Sequence, residues 1–245
     1  MIRPIALSAL ILCAAVPVAA QNTQEEYRPT GTRIISQQQE ADPDYSRRLL
    51  KETAACVNRY DAAAVVALLR GGNQPALDYA AEGIQNEDDN APLRLSDCLT
   101  EAMNGSQLTV QMRISPDALR TVLAEEAYLG RHTGPLTLGQ GAPQVLAGRR
   151  VIGGATPAQS TARGQFADCL VFNAPVEADR LLRGPVGGDT ERENARALAP
   201  AIGQCLTAGQ QANFTTNAIR DFVADGLWAR SEALSAIGAA QGSGE

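Results

Sequence analysis

Apolar residues recur at helical spacing through most of the chain, and alternating patterns of the kind that strands show are few. The two clearest stripes follow positions i, i+3 and i+4. They are Leu119, Val122 and Leu123 in one segment and Ile219, Phe222 and Val223 in another. Aromatic residues make up only 4% of the sequence, so we expect Ala, Leu and Val to fill the core. The pattern predicts an all-α protein.

Two parts of the chain repeat a series of motifs in the same order. The shared motifs are Leu-Leu-Arg-Gly at 68–71 and 181–184, Cys-Leu-Thr at 98–100 and 205–207, and an Arg-bearing helix at Arg120 and Arg220. A shared order of several motifs indicates duplication more specifically than any one motif does. We therefore predict a tandem pair of small helical units.

Each unit is predicted to contain four short helices. The first unit covers residues 43–129 and the second covers residues 164–234. Asp61 and Asn173 are the predicted N-caps of the second helix in their units, because such side chains accept hydrogen bonds from the N–H groups at a helix start. Pro200 is expected to kink or divide the third helix of the second unit.

The first twenty residues have the features of a cleaved signal peptide. Arg3 gives a positive start, residues 5–18 form an apolar run, and small residues at 18–20 offer a cleavage site. Lipidation at Cys13 is the alternative, but Leu12 is larger than the residue that usually precedes such a site. We expect a periplasmic or secreted protein. It should have no integral membrane segment after signal cleavage, because no later run reaches the roughly 20 apolar residues of a spanning helix.

Four cysteines lie in the two units, Cys56 and Cys98 in the first and Cys169 and Cys205 in the second. An even number in an exported chain favours disulfides over metal ligation or unpaired thiols, although four cysteines allow three pairings. Duplication selects one pairing within each unit, because a unit copied whole carries its own staple. The prediction is Cys56 with Cys98 and Cys169 with Cys205, with a redox-active pair as the alternative.

Residues 130–163 are rich in Gly and Pro, contain no Asp or Glu, and include four arginines. This composition predicts a basic linker between units that either pack together or remain independent. A small hairpin around 145–152 and a contact with anionic envelope components are further hypotheses for it. Residues 21–42 and 235–245 are predicted to be disordered.

Four residues at repeated positions are candidates for binding. Arg120 and Arg220 would suit an anion site, although an internal ion pair or a surface arginine with a buried stem explains them as well. Tyr128 and Trp228 occupy equivalent positions and would suit stacking on a ligand, with a core aromatic as the alternative.

The chain offers little for catalysis. Its single histidine, His132, lies in the Gly-rich linker, where we expect it to be exposed, so a Ser-His-Asp triad or a multi-histidine zinc site has no framework. Acidic residues 87–89 lack the ligand spacing of a calcium loop. Glu125 and Glu126 align with Asp225 and a glycine, so a carboxylate pair would be asymmetric. We predict no catalytic residue, metal or cofactor.

Three segments of the second unit resemble a known pattern. They are Gln-Phe-Ala-Asp-Cys-Leu-Val at 165–171, Ala-Pro-Ala-Ile-Gly-Gln-Cys-Leu at 199–206 and Ile-Arg-Asp-Phe-Val-Ala at 219–224. The first unit matches more loosely, with Ala-Ala-Cys-Val at 54–57 and Arg-Leu-Ser-Asp-Cys-Leu at 94–99. The chain resembles an uncharacterised family of small exported helical proteins of Gram-negative bacteria with a two-cysteine repeat. The resemblance implies the fold and export, and it implies no activity.

Two functional hypotheses from different classes follow. The first is a non-enzymatic binding or scaffold module whose partner is an unidentified envelope or secreted protein. The net charge of −6, which becomes −7 when Arg3 is removed, disfavours nucleic acid as a partner. The alternative is an envelope-acting hydrolase that uses carboxylates and arginines. Several perturbed carboxylates in one cleft would favour the hydrolase.

Overall fold

The structure is a computed structural model that describes residues 42–70, 93–103, 114–139, 145, 157–206 and 212–242. Within these ranges the chain forms nine α-helices and no strand, which confirms the all-α prediction. The helices are α1 (Pro43–Tyr60), α2 (Ala62–Arg70), α3 (Leu95–Ala102), α4 (Pro116–Arg131), α5 (Pro157–Asn173), α6 (Pro175–Arg183), α7 (Gly188–Ala197), α8 (Ala199–Cys205) and α9 (Thr216–Gly242). Several predictions lie outside the described residues: the signal peptide at 1–20, the segment 21–41, the acidic residues 87–89 and, apart from Val145, the hairpin.

The helices fall into an N-terminal half, the described residues from 42 to 139, and a C-terminal half, those from 157 to 242. In the N-terminal half, α1 packs against α2, α3 and α4. In the C-terminal half, α5, α6 and α7 pack against α9, and α8 packs against α5. A turn at Leu198 divides the expected third helix into α7 and α8, because Pro200 has no N–H for a continuous helix. This half therefore has five helices where four were predicted.

Each half contains one disulfide, as predicted. Cys56 on α1 is bonded to Cys98 on α3, with their Cα atoms 5.5 Å apart. Cys169 on α5 is bonded to Cys205 at the end of α8, with their Cα atoms 5.8 Å apart. The bonds span 42 and 36 residues of sequence, and closing loops of this length stabilises a fold by about 4 kcal/mol each in the chain-entropy account.

One of the two predicted N-caps is present. The Oδ1 atom of Asp61 accepts a hydrogen bond from the Ala64 N–H at 2.8 Å at the start of α2. Asn173 is instead the last residue of α5, where its Nδ2 donates to the Cys169 carbonyl at 2.9 Å. The prediction for Asn173 is wrong because α5 runs one residue further and Pro175 starts α6 directly after Ala174.

The two halves exchange one aromatic side chain each where α4 packs on α9. Tyr128 of α4 is buried in the core of the C-terminal half, in a cluster that includes Leu170 and Leu181. Trp228 of α9 is buried in the core of the N-terminal half, in a cluster that includes Val57. Each core is therefore completed by the other half, and the two halves pack together.

Two boundaries differ from the predicted ones. The sequence predicts a disordered tail from residue 235, whereas α9 continues to Gly242, because the Ala-rich segment after Leu234 contains no proline. The predicted linker at 130–163 is partly ordered: Leu136 is buried in the core of the C-terminal half, and α5 already begins at Pro157. None of the described helices combines the length and apolarity needed to cross a membrane.

Candidate functional site at the seam between the halves

Charged residues from four helices meet where α4 packs on α9, and we call this cluster the seam. It comprises Arg47 and Lys51 of α1, Arg120, Glu125 and Glu126 of α4, Glu191 of α7, and Arg220, Asp221 and Asp225 of α9. The apolar stripes of α4 and α9 enter the two cores. Packing of these two amphipathic helices brings the polar positions beside the stripes face to face.

Arg220 connects the two halves through several hydrogen bonds. Its Nε and Nη2 donate to the two carboxylate oxygens of Glu125 at 2.9 and 2.6 Å. Its Nη1 donates to the Leu181 carbonyl at 3.0 Å and to Glu191 Oε1 at 3.3 Å. Burial disfavours the charged guanidinium, but the bonds to Glu125 and Glu191 outweigh it, so the pKa of Arg220 is raised.

Arg120 makes the equivalent contact in the opposite direction. Its Nη1 donates to Asp225 Oδ1 at 2.6 Å. Each carboxylate lies five positions after the arginine of its own helix: Glu125 follows Arg120 in α4, and Asp225 follows Arg220 in α9. The two ion pairs therefore link α4 and α9 reciprocally, each from an arginine on one helix to a carboxylate on the other.

Helix α1 adds two cations to the same carboxylates. Lys51 Nζ donates to Glu125 and also to Glu126, the latter at 2.7 Å. Arg47 donates to both oxygens of Glu191, at 2.6 and 2.9 Å. Burial disfavours ionised Glu191, but the bonds from Arg47 and from a backbone N–H outweigh it, so the pKa of Glu191 is lowered. Burial dominates at Glu126, whose pKa is raised in spite of Lys51.

Asp221, which is partly buried, differs from the other carboxylates of the seam. No hydrogen bond to its carboxylate is found among the described residues. Burial, followed by the negative charge of Asp225, raises its pKa to about 7. Glu125 adds to this effect, whereas Arg47 and Arg163 oppose it. At neutral pH, Asp221 is therefore divided between its protonated and ionised forms.

His132 is half buried, which corrects the prediction that it is exposed. The chain after α4 turns back onto the core, and the His132 ring stacks on Tyr128 with the ring centroids 5.0 Å apart. Its Nε2 lies 2.6 Å from Ser231 Oγ, and burial lowers the pKa of His132. Ser231 is only 1% exposed, so this serine–histidine contact is closed to a substrate.

The four predicted binding residues all lie inside the protein, where Arg120 and Arg220 form ion pairs across the seam. Tyr128 and Trp228 fill the two cores. The Tyr128 hydroxyl donates to Asp179 at 2.8 Å, and burial together with this bond raises the pKa of Tyr128. These surroundings match the two alternatives considered for the sequence: an internal ion pair for each arginine, and a core position for each aromatic residue.

The sequence patterns predicted no functional role for Arg47, Lys51, Glu191 or Asp221. Arg47 and Glu191 are 144 positions apart, and no periodic pattern in one sequence links such distant positions. The one available signal was the i, i+4 spacing of Arg47 and Lys51, which places two cations on the same face of α1.

An open groove lies beside the seam, and we call it the seam groove. Its volume is about 550 Å³, and α1, α4, the end of α6 and the following loop form its walls. The polar side chains that line it are Arg48, Lys51, Glu52, Glu126 and Arg183. The apolar ones are Ala55, Leu129, Leu182, Pro185 and Val186. Lys51 and Glu126 therefore belong both to the seam and to the wall of the groove.

The part of the chain that the structure describes contains no group of three His, Cys, Asp or Glu residues positioned to hold a metal ion. The four cysteines of the two halves form two disulfides, which removes them as thiolate ligands. Comparison of the chain with protein-family models, with curated proteins and with solved structures finds no match.

Proposed function

We propose that this protein is a non-enzymatic binding module, periplasmic or secreted, built from two homologous helical repeats. Export is supported by the character of residues 1–20 and by the resemblance to small exported helical proteins. It is supported further by the two disulfides, because such bonds persist in oxidising compartments. The ligand or partner then belongs to the cell envelope or to the secreted proteins.

Equivalent contacts at equivalent positions support the two repeats. Arg120 bonds to Asp225 while Arg220 bonds to Glu125, and the aromatic residues eight positions after these arginines enter opposite cores. Each half has its own disulfide, which joins the first helix of that half to α3 in the N-terminal half and to α8 in the C-terminal half. We take α7 and α8 together as the counterpart of α3, so that each repeat has a four-helix plan with one helix divided.

The contrast between the paired charges of the seam and the open groove beside it carries the proposed binding role. A hydrolase needs a carboxylate that can exchange a proton with its substrate. Glu125 instead accepts hydrogen bonds from Lys51 and Arg220, and Glu191 accepts them from Arg47 and Arg220. Asp221, whose pKa is raised to about 7, is not among the residues that line the groove. The groove has a volume typical of small-ligand sites and walls of mixed polar and apolar character.

Native mass spectrometry of the protein purified from the periplasm tests this role. We expect an adduct that is released on denaturation. Its occupancy should fall about tenfold in Ala55→Phe, which adds an aromatic ring to the groove wall. The matched control is Ala197→Phe, at an exposed position of α7, which should leave the occupancy unchanged.

The hydrolase alternative predicts a different outcome. The same preparations are incubated with phospholipid vesicles and with peptidoglycan, and the products are quantified. Turnover by the wild type that is lost in Glu126→Gln would replace the binding module with an enzyme, because Glu126 is a partly buried carboxylate with a raised pKa that lines the groove. An adduct that Ala55→Phe leaves unchanged would exclude the groove as its site.

A further inference from the structure

We propose that the seam groove binds a single-chain anionic amphiphile, a molecule with one carboxylate or phosphate head group and an unbranched aliphatic chain. The inference rests on the proposed binding function and names the ligand class of the same groove.

Two guanidinium groups provide for the head group. Arg48 is 44% exposed, and its ion-pair partner Asp42 is 3.9 Å away, beyond hydrogen-bonding distance. Arg183 donates from Nε to Asp179 and from Nη2 to the His132 carbonyl, and its side chain is 34% exposed. Guanidinium N–H groups match the paired oxygens of a carboxylate or a phosphate.

The charge of the groove differs from that of the whole protein. Three cations and two carboxylates line it, so its wall carries a net positive charge in a chain whose net charge is −6. Lys51 is bonded to Glu125 and Glu126, and Arg183 is bonded to Asp179. Arg48, whose carboxylate partner lies 3.9 Å away, is therefore the lining cation with the most distant ion pair. An anionic head group is therefore favoured here, although the rest of the surface of an acidic protein repels it.

The apolar wall distinguishes an amphiphile from a small inorganic anion. Ala55, Leu129 and Val186 line the same space as the two arginines. A phosphate or carboxylate ion by itself would leave most of about 550 Å³ to water and would not use this wall. An aliphatic chain covers it, and each methylene removed from water raises the affinity about threefold to fourfold.

Isothermal titration calorimetry of the delipidated mature protein tests the proposal. The probes are hexanoate, octanoate and decanoate, with decyl phosphate as the second head group and octanol as the neutral control, all below their micellar concentrations. We expect the affinity to rise about threefold to fourfold per methylene along the carboxylate series. Octanol should bind about tenfold more weakly than octanoate, because it cannot form the charged hydrogen bonds.

Two variants locate the site. Arg48→Gln should lower the affinity for decanoate about tenfold. Arg192→Gln is the matched control, because Arg192 has a similar exposure of 48% and pairs with Asp189 of its own helix, outside the lining of the groove. Ala55→Phe should abolish decanoate binding while the protein keeps its thermal unfolding transition.

The possible failures are distinguishable. An affinity that does not depend on chain length, or equal decanoate binding by Arg48→Gln and Arg192→Gln, would overturn the anionic amphiphile. Absence of binding by all probes, in a protein that still carries a groove-dependent adduct from the periplasm, would overturn this inference and leave the binding module intact. Turnover of a probe would overturn the proposed function itself.

The two head groups are distinguished by the same titrations. Binding of decyl phosphate about tenfold more tightly than decanoate would show that the head group of the ligand is a phosphate and not a carboxylate.

Discussion

Arg220 Nη2 and Glu125 Oε1 lie 2.6 Å apart across the seam, and both side chains are only 5% exposed. The pair joins the last helix of the C-terminal half to the last helix of the N-terminal half. A buried charge that loses its partner keeps the penalty of desolvation without the compensating attraction. This pair is therefore a sensitive test of how the halves are held together.

Replacement of Arg220 by methionine should lower the free energy of unfolding by about 3–5 kcal/mol, because Glu125 loses its two-point partner. Guanidinium-induced unfolding followed by Trp228 fluorescence measures the change. Arg192→Met removes an exposed pair and should change the free energy by less than about 1 kcal/mol. Equal effects of the two substitutions would show that the seam pair contributes no more than a surface contact.

Asp221 should make the protein less stable as the pH rises. Its native pKa of about 7 lies above the ordinary value of 3.8. The native state therefore binds more protons than the unfolded state between these values, and the free energy of unfolding falls as the pH rises through this range. The destabilisation is complete above pH 7 and absent below about pH 4.

Asp221→Asn removes this titration. The variant should be more stable than the wild type by about 1–3 kcal/mol at pH 8, and the difference should vanish toward pH 4. Thermal unfolding across this range provides the measurement. Asp189→Asn, at a side chain that is 87% exposed, is the control. A stability difference for Asp221→Asn that is constant with pH would contradict the assignment.

Gly226 of α9 rests directly on α5. A Cβ atom at this position would lie 2.6 Å from the Ala167 carbonyl oxygen and 2.8 Å from Val171 Cγ1. Gly226→Ala should therefore lower the free energy of unfolding by about 1–3 kcal/mol. Gly203 of α8 has no atom within 4 Å of the corresponding position, so Gly203→Ala should be neutral or stabilising by up to about 1 kcal/mol. Denaturant unfolding that ranks the two variants in the reverse order would refute this packing.

The two disulfides should differ in their accessibility to reductants. Cys56 and Cys98 are buried, whereas Cys169 and Cys205 are partly exposed. Limited reduction of the native protein, followed by alkylation and peptide mass analysis, should label the second pair about tenfold faster than the first. Labelling of both pairs at the same rate would indicate reduction through global unfolding.

Local patterns accounted for the helices and for part of their boundaries. The i, i+3, i+4 stripe predicted the helix that contains Leu119 and Leu123, and Asp61 caps α2 as predicted. The prediction that Asn173 caps α6 was wrong because only Ala174 separates α5 from α6, and residues on both sides of it favour a helix. A shift of one residue therefore changes the helix to which Asn173 belongs. The exposed position predicted for His132 failed because its contact with Tyr128 depends on how the chain turns after α4.

The sequence by itself determined the all-α fold, because helical periodicity is local. The order of its cysteine motifs also predicted the pairing of Cys56 with Cys98 and of Cys169 with Cys205. Only the tertiary structure decided that Arg47 meets Glu191 and that Tyr128 and Trp228 exchange cores. These contacts depend on the angle and register at which helices distant in sequence pack together. Many side chains contribute a little to that packing, and no local pattern encodes it.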